Sequence, residues 1–383
     1  MHVLIAPDRF SGPLNAVLAA RSLADGWAEA APSTTVTALP LSDGSAGMLD
    51  VVAAARGGTL VPVQAAGPLG SVTAAAVLHV PGDAGGTAYV EADQVIGTDL
   101  VPPEARAHAA RAGSSAGLGA LILSALSTGA SRIVVGLPTP AVVHDGGRGL
   151  LQVLAGGETV GDLPDVAAAR ERLAGRDVVI AAADGVPLLG LLGAGALLGQ
   201  DPDVGPVLAQ ELERNIGETT AEMERQIEDQ PRGLLLSTGR DQVRVARQEG
   251  TGAGGGAAFA LRLLGGRSIP GADVAADAVG LADAVEQADL VITGSAVVDS
   301  ASLTTSVVAT VARAALDRAL PVVVVAEEIR TSRREVAPLG ISGTYEIWER
   351  SRLHGARRRH GASDLPDAVR ARAARLARTW STA

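Results

Sequence analysis

Short runs of Val, Leu and Ile alternate along the chain with Ala-rich stretches of helical period. A run that is apolar at every position is typical of a strand buried on both faces of a parallel sheet. The clearest such runs, each followed by a Gly, Asp or Ser turn, lie at 3–6, 133–137, 178–182, 290–293 and 322–326. The pattern therefore predicts an α/β protein with a Rossmann-like, mostly parallel sheet covered by helices.

Residues 59–91 show a different pattern, in which short alternating strands are separated by Gly and Pro turns, and they predict a second, smaller sheet. Helical regions are expected at 188–227, facing water, and at 365–380, behind the capping candidates Ser363 and Asp364. We predict a discontinuous Rossmann-like lobe from residues 1–60 and 285–383. An inserted α/β lobe is predicted from residues 61–284, with the binding site in the cleft between the two lobes.

The amino-acid composition and net charge exclude several classes of chemistry and partner. The 383 residues suit two lobes, and the chain has no cysteine, which excludes disulfides and thiolate chemistry. It also has no lysine, so any phosphate must be met by arginine and backbone amides. The net charge of −10 argues against nucleic acid as a partner. The early Asp8 does not fit a signal peptide, and no apolar run reaches membrane-spanning length, so we expect a cytoplasmic protein without a membrane partner.

Ligands of open α/β sheets bind outside the carboxyl ends of the strands, so the residues that follow each strand are the candidates for a site. After the first strand the chain offers a carboxylate, a guanidinium, a hydroxyl and a glycine, at Asp8, Arg9, Ser11 and Gly12. Asp8 is a candidate catalytic group, and the other three are candidate ligand-binding groups. The alternative interpretation of Asp8 is a helix cap.

Two further junctions collect polar groups. Asp43 and Gly44 lie in a loop whose glycines permit close approach of the backbone, and Asp43 could instead cap the next helix. After the strand at 133–137, the segment 144–149 begins a helix in glycines and carries an arginine, which predicts an anion site. The candidates in this segment are catalytic Asp145 and the ligand-binding Gly146, Gly147 and Arg148. The same segment contains His144, the one histidine expected near a site, with an exposed loop histidine as the alternative.

The remaining candidates are a glycine-rich segment at 250–256, which includes Gly254 and Gly255, and the end of the strand at 290–293. The first resembles a phosphate loop but lacks the GK[ST] ending of a P-loop. The second offers Ser295 for binding and Asp299 for catalysis, with a cap as the alternative for Asp299. No His, Asp or Glu trio has metal-ligand spacing and no G-x-S-x-G elbow occurs, so the identity of any metal ligand stays unknown.

These junctions, taken in order, resemble the type I glycerate kinase family over most of the chain. The family pattern A-P-D-S-F-K-G reads A-P-D-R-F-S-G at 6–12, and L-A-D-G-G-E-G-T reads L-S-D-G-S-A-G-M at 41–48. T-T-Y-G-T-G reads S-S-A-G-L-G at 114–119. The resemblance implies the two-lobe glycerate kinase fold and phosphorylation of glycerate with ATP and magnesium as cofactors.

The sequence also departs from the family pattern. G-L-G-G-S-A-T-N-D-G-G is one residue longer at 136–147, with His144 next to the aspartate. D-x-V-I-T-G-E-G-R-x-D keeps Asp299, but its glutamate and arginine are Ser295 and Val297. Both motif lysines are serine, at Ser11 and Ser306. Because phosphoryl transfer depends on cations that neutralise the moving group, these losses predict weak or absent kinase activity and a repurposed cleft.

Three functional hypotheses remain open at this point. The first is a family member that has lost kinase activity, a pseudoenzyme that binds a small molecule in the cleft or regulates a partner. The second is a divergent kinase in which Asp8, Asp43, Asp145 and Asp299 hold magnesium and the substrate hydroxyl while Arg9 and Arg148 meet phosphates. The third is a different enzyme on the same scaffold, with Asp145 or Asp299 as general base. A homodimer is also left open.

Overall fold

The computed structural model describes residues 1–228, 244–348 and 364–381. The chain divides into two compact units, each built from segments that are distant in sequence. Unit 1 comprises Met1–Asp43, Asp50–Arg56 and Ala272–Ala383, and unit 2 comprises Gly44–Leu49 and Gly57–Gly271.

The strands of the described residues are mostly short, and they are numbered here in chain order. They are β1 (His2–Ile5), β2 (Thr35–Ala38), β3 (Thr59–Ala66), β4 (Val72–Val80), β5 (Thr87–Glu91), β6 (Arg132–Leu137), β7 (Thr159–Val160), β8 (Leu163–Pro164), β9 (Asp177–Ala182), β10 (Arg267–Pro270), β11 (Leu290–Val298), β12 (Val322–Ile329) and β13 (Ile341–Glu346).

The helices of the described residues range from single turns to the long α9. They are α1 (Ala16–Ala30), α2 (Met48–Arg56), α3 (Asp93–Ile96), α4 (Arg106–Ala112), α5 (Ala116–Ser127), α6 (Arg148–Leu154), α7 (Val166–Arg172), α8 (Ala194–Leu198), α9 (Pro206–Glu228), α10 (Ala257–Leu263), α11 (Gly271–Val279), α12 (Leu281–Glu286), α13 (Ser302–Thr305), α14 (Val307–Leu316), α15 (Arg333–Val336) and α16 (Leu365–Trp380).

Unit 1 contains a five-stranded sheet in the order β13-β12-β11-β1-β2, and all of its strand pairs are parallel. The first strand of the chain lies beside β11, so this sheet contains strands from both ends of the chain. Both faces of the sheet are covered. One face packs Leu4, Val291 and Val324 against α11, α12 and α14. The other packs Ile5 and Ile292 against α1 and α16. The continuous apolar runs reflect this burial on both faces.

Unit 2 contains a six-stranded sheet in the order β10-β9-β6-β5-β4-β3. Pairs from β5 to β10 are parallel, whereas β3, β4 and β5 pair antiparallel. The antiparallel meander is the region in which the sequence predicted a separate, smaller sheet. That detail is wrong, because the meander joins the parallel strands in one sheet larger than that of unit 1. The predicted α/β fold with parallel-dominated sheets is confirmed.

The boundaries of the units differ from the predicted 60/61 and 284/285. Residues from Ala272 onward belong to unit 1, since Ala272 and Ala275 of α11 and Leu281 and Val285 of α12 pack into the core of the unit 1 sheet. In the N-terminal part of the chain, Gly44–Leu49 belong to unit 2, whereas Asp50–Arg56, which form most of α2, belong to unit 1.

The expected helix at 188–227 is interrupted, because it begins with a loop and divides into α8 and α9. Helix α9 does not simply face water, since Leu212, Ile216 and Met223 are buried. The closing helix α16 is present, and Asp364 precedes it without a side-chain capping bond, while Ser363 lies outside the described residues.

The arginine-rich C-terminal stretch divides between residues that the structure describes and residues that it does not. Positions 350–359 lie outside the described residues. On α16, Arg370 forms an exposed ion pair with Glu29 of α1. Arg372 is buried and donates to the carbonyl of Ile347. Of these two arginines, Arg370 is exposed to solvent, whereas Arg372 is part of the packed interior.

Across the described residues, no single helix is long and apolar enough to cross a membrane. One bent pair, Pro103–Ala112 with Ala116–Ser127, meets the length and composition criteria only when its two helices, 73° apart, are taken together.

Candidate functional site

The first predicted group lies where β1 ends at the carboxyl edge of the unit 1 sheet. The N–H of Asp8 donates to the carbonyl of Gly294 on β11 at 2.8 Å, which holds the loop beside the neighbouring strand. The Asp8 side chain is buried, and its Oδ1 accepts the N–H of Arg9 at 2.7 Å. Arg9 itself is exposed. The helix that follows is capped by Asn15, whose side chain accepts from Leu18 N–H, so the alternative of Asp8 as helix cap is wrong.

Asp43 adds a second carboxylate at this edge. It follows β2, and the Leu41 N–H donates to the Pro7 carbonyl at 2.9 Å, which brings the two loops together. Burial raises the pKa of Asp8 well above its usual range, and the negative charge of Asp43 raises it further. The N–H and the charge of Arg9 act in the opposite direction. Helix α2 begins only at Met48, so Asp43 does not cap it.

Ser11 and Gly12 complete the first loop. The Ser11 N–H donates to Glu327 Oε1 of β12 at 2.6 Å. At Ser11, where the family pattern has lysine, the backbone N–H is therefore already bonded to the carboxylate of Glu327. Gly12 has φ of 62°, a left-handed conformation that favours glycine. Glu327 was not among the predicted residues, although two glutamates directly after the apolar run at 322–326 were a visible signal.

The end of β11 carries the next group. Ser295 donates its hydroxyl to the carbonyl of Val297 at 3.0 Å. Asp299 and Ser302 exchange bonds at the start of α13: Asp299 Oδ1 accepts the Ser302 N–H at 2.9 Å, and the Asp299 N–H donates to Ser302 Oγ at 2.8 Å. These bonds fix the loop before α13, but the N-cap residue of that helix is Ala301, so Asp299 is not its cap. Ser306, which stands where the family pattern has lysine, caps α14.

In unit 2, Asp145 is held by four donors. Its Oδ2 accepts the N–H and the hydroxyl of Ser115, at 2.8 and 2.9 Å, and the N–H of Gly149 at 3.0 Å. Its Oδ1 accepts the N–H of Gly147 at 2.9 Å. Asp145 thus joins the first turn of α6 to the residue preceding α5. Sequence reasoning missed Ser115, which lies 30 residues away along the chain.

Arg148 begins α6 but does not point its donors at the helix start. Its guanidinium donates to the carbonyl of Asp162 at 2.8 Å, in the turn between β7 and β8. The side chain therefore anchors this hairpin. Gly146 and Gly147 both have positive φ, at 66° and 77°.

The glycine-rich segment 250–256 is packed against the loop that precedes α6. A Cβ at Gly255 would lie 1.8 Å from the carbonyl oxygen of Val143, so only glycine fits. The amides are largely used within the unit, since Gly254 N–H donates to the Pro138 carbonyl and Gly256 N–H to the Gly252 carbonyl. Close backbone contact accounts for these glycines, and these two amides are not directed at a ligand.

His144 is buried rather than exposed, so the alternative of a solvated loop histidine is wrong. Burial lowers its pKa from 6.5 to about 4, because a charged imidazolium would lose its hydration there. The imidazole is therefore neutral near pH 7.

Gly44 lies in the short loop that belongs to unit 2. It has φ of 94°, and a Cβ there would lie 2.6 Å from the carbonyl oxygen of Ala181. The same loop is held by Glu91, a buried carboxylate that accepts the N–H groups of Gly47 and Leu49 at 3.0 and 3.1 Å. Sequence reasoning missed Glu91, although it is the last residue of the mostly buried strand β5.

The described residues contain no group of three or more His, Asp or Glu side chains that could hold a metal ion. A groove of about 580 Å³ lies between α8 and α9, away from every predicted site residue, and its lining mixes Gly and Ala with polar side chains that include Glu213 and Arg247. The predicted residues thus form two groups. Asp8, Arg9, Ser11, Asp43 and Ser295 lie in unit 1 with Gly12 and Asp299, whereas Gly44, Gly254, Gly255 and the 145–148 segment lie in unit 2.

Comparison with known proteins gives a consistent result. The model of the glycerate kinase family matches residues 3–381. An uncharacterized protein of Mycobacterium bovis is 34% identical, over 91% of this chain and 84% of its own length. Glycerate 2-kinase of Escherichia coli is 29% identical, over 91% of this chain and 90% of its own. A crystal structure of a putative glycerate kinase 2 from Salmonella typhimurium matches with a TM-score of 0.73 at 26% identity, covering 100% of this chain and 98% of that one.

Proposed function

The chain belongs to the glycerate kinase family, and from this premise we propose that it transfers a phosphoryl group from ATP to glycerate at a rate well below that of members with complete motifs. The observation that carries the proposal is the pairing of Asp8 and Arg9. The family pattern keeps the aspartate, and the next residue of this chain is an exposed arginine whose charge acts on Asp8.

Asp8 fits the role of the proton acceptor. In the transfer, the hydroxyl oxygen of glycerate attacks the γ-phosphorus of ATP, and the bond from this phosphorus to the β,γ-bridging oxygen breaks as ADP leaves. The hydroxyl proton passes to a carboxylate. A general base works best when its pKa is near the working pH. Burial and the charge of Asp43 raise the pKa of Asp8 in that direction.

Asp145 is a weaker choice for this role, because both of its oxygens already accept bonds from backbone and hydroxyl donors. Abstracting a proton would require it to give up part of this network. Asp299 Oδ1 is likewise used by Ser302. Among the three predicted catalytic carboxylates, Asp8 is therefore the one we assign to proton transfer.

Of the two arginines that the sequence predicts to meet phosphates, Arg9 and Arg148, we assign Arg9 to this role. The motif positions of the lysines are serines, of which Ser11 donates its amide to Glu327 and Ser306 caps a helix. Arg148 is engaged by the Asp162 carbonyl. Losing an electrostatic group of this kind typically costs a hundredfold or more in rate, which is why we expect slow turnover.

Magnesium would accompany the nucleotide. This ion is usually held by one or two carboxylates together with phosphate oxygens and water, so a preformed cluster is not needed. Asp299, at the carboxyl edge of unit 1, fits the part of a single carboxylate ligand. When bound, the ion would neutralise charge on the phosphate oxygens.

A second candidate function is binding without transfer. The specific observation in its favour is the acidic balance of the unit 1 edge, where Asp8, Asp43, Glu327, Glu328 and Asp299 outnumber Arg9 and Arg330. An acidic surface repels phosphates and favours a less anionic ligand.

The experiment is an assay of ADP release with ATP, magnesium and glycerate, on the unmodified protein and on Ser11→Lys. We expect slow turnover that rises at least about tenfold when the motif lysine is restored. Ser71→Lys, on an exposed turn of unit 2, is the matched control and should leave the rate unchanged. If neither the unmodified protein nor Ser11→Lys binds ATP or turns over, the proposal is wrong and the second candidate is favoured.

A further inference from the structure

Arg330, directly after β12, places a cation near the position where this chain has Val297 in place of the arginine of the family pattern. Strands β11 and β12 are parallel, with Val297 opposite Glu328 and Val298 opposite Ile329. The Arg330 N–H donates to the Val298 carbonyl at 2.8 Å, a bond that belongs to the last pair, Val298 with Ile329, and so Arg330 and Asp299 each directly follow this pair. Arg330 therefore stands at the level of Asp299, the carboxylate that the family pattern retains.

The side chains of these residues share one side of the sheet. Val298 and Ile329 pack into the apolar core with α14. Because successive side chains of a strand point to opposite faces, Val297 and Glu328 point away from that core, and Arg330, one residue beyond the end of β12, reaches the same side. The contacts agree, since Arg330 donates to Glu328 Oε2 at 2.9 Å.

The charge around Arg330 is consistent with this placement. Bonding to Glu328 and attraction to both Glu328 and Asp299 raise the pKa of Arg330, which remains ionised at any ordinary pH. Its side chain is 56% exposed, so solvent and ligands reach it. A guanidinium has five N–H donors in a fixed fork, and the bond to Glu328 leaves donors to spare.

We propose that Arg330 binds phosphate oxygens of the nucleotide and thereby replaces, from the neighbouring strand, the arginine that the family pattern has at the position of Val297. This inference rests on the proposed function, because it assigns a residue to the phosphates of the same nucleotide. Glu328 orients the fork of Arg330 and keeps it beside Asp299.

The alternative is an ordinary surface ion pair between Arg330 and Glu328. Such exposed pairs contribute little to stability, and their loss affects no ligand. The two interpretations differ in what removal of the guanidinium does to phosphate binding, because only the first makes the affinity depend on the charge of position 330.

The test is calorimetric titration with magnesium ATP of the full chain, with Arg330→Met, with the exposed Arg334→Met as matched control, and with the double variant Val297→Arg/Arg330→Met. We expect about tenfold weaker binding for Arg330→Met, an unchanged affinity for Arg334→Met, and recovery of most of the lost affinity in the double variant. Inorganic tripolyphosphate, used as a second probe, should show the same order, whereas a thermal melt of Arg330→Met should match that of the unmodified protein.

The outcomes separate this inference from the proposed function. If the unmodified protein binds ATP and Arg330→Met binds it equally well, the assignment of Arg330 is wrong while the proposed function stands. If Arg330→Met weakens binding but Val297→Arg does not restore it, the replacement of position 297 is wrong. If the unmodified protein does not bind ATP, both the inference and the proposed function are overturned.

Discussion

The carboxyl edges of the two sheets use their polar residues in opposite ways. In unit 1, Asp8 is buried, its pKa is raised by burial and by the charge of Asp43, and Arg9 is exposed. In unit 2, Asp145 accepts bonds from Ser115, Gly147 and Gly149, amides of the glycine-rich segment bond to carbonyls of the same unit, and Arg148 anchors a hairpin. Polar residues after buried strands can thus serve chemistry or local architecture, and only their hydrogen-bond partners distinguish the two.

The largest expected effect on stability comes from removing the carboxylate of Asp145 in unit 2. Asp145→Ala removes the acceptor of four donors, two of them at the start of α6, and leaves them unsatisfied. We expect the free energy of unfolding to fall by roughly 4 kcal/mol, measured by urea denaturation. The exposed Asp99→Ala of the same unit is the control. If Asp145→Ala lowers the free energy of unfolding no more than the control does, the hydrogen bonds of Asp145 do not stabilise unit 2.

A pH dependence of stability is expected from His144 in unit 2. Its pKa of about 4 in the folded state lies below the value of 6.5 for a free histidine, so the unfolded chain binds a proton more readily between these values. The stabilising contribution is complete above pH 6.5 and falls by roughly 3 kcal/mol as the pH drops to 4. His144→Asn should lack this part of the acid sensitivity.

The measurement for His144 is denaturation at several pH values between 7 and 4, comparing each variant with the unmodified protein. The exposed His108→Asn serves as control and should leave the pH dependence unchanged. Equal pH dependence of His144→Asn and the unmodified protein would show that the imidazole is not kept neutral by burial.

A smaller effect of the opposite sign is expected in unit 1. Asp8 has a raised pKa in the folded state, so its contribution to stability is present at low pH and is lost as the pH rises through that pKa. Asp8→Asn should therefore stabilise the protein at pH 8 by about 1 kcal/mol, with no gain at pH 3, while abolishing turnover.

Thermal melts at both pH values check the Asp8 prediction, with the exposed Asp283→Asn of the same unit as control. A variant that is less stable than the unmodified protein at pH 8 would mean that the carboxylate supports the fold. Asp8 would then resemble Asp145, and the contrast between the two edges would disappear.

Much of the fold could be predicted from the sequence, because strands buried on both faces are apolar at every position. The apolar runs at 3–6 and 290–293 belong to adjacent parallel strands, β1 and β11, as the predicted discontinuous lobe requires. The assignment of α11 and α12 could not be predicted in the same way. Their amphipathic pattern shows that they bury one face but not which sheet covers it.

Only those parts of the site that depend on residues close in sequence could be predicted. The loops after β1 and β2 were identified because the rule on strand ends is local. The use of Asp145 depends on Ser115 and that of Ser11 on Glu327, and these partners are brought near by folding. Arg330 was missed because its place beside Asp299 follows from the register of two strands.

The most direct test of this contrast is titration of magnesium ATP into Arg9→Met and Arg148→Met, two variants that lose the same charge from the two edges. Our account predicts at least about tenfold weaker binding for Arg9→Met and no change for Arg148→Met, whose side chain only anchors the hairpin. Loss of affinity in Arg148→Met, with Arg9→Met binding as tightly as the unmodified protein, would contradict it and place the phosphates in unit 2.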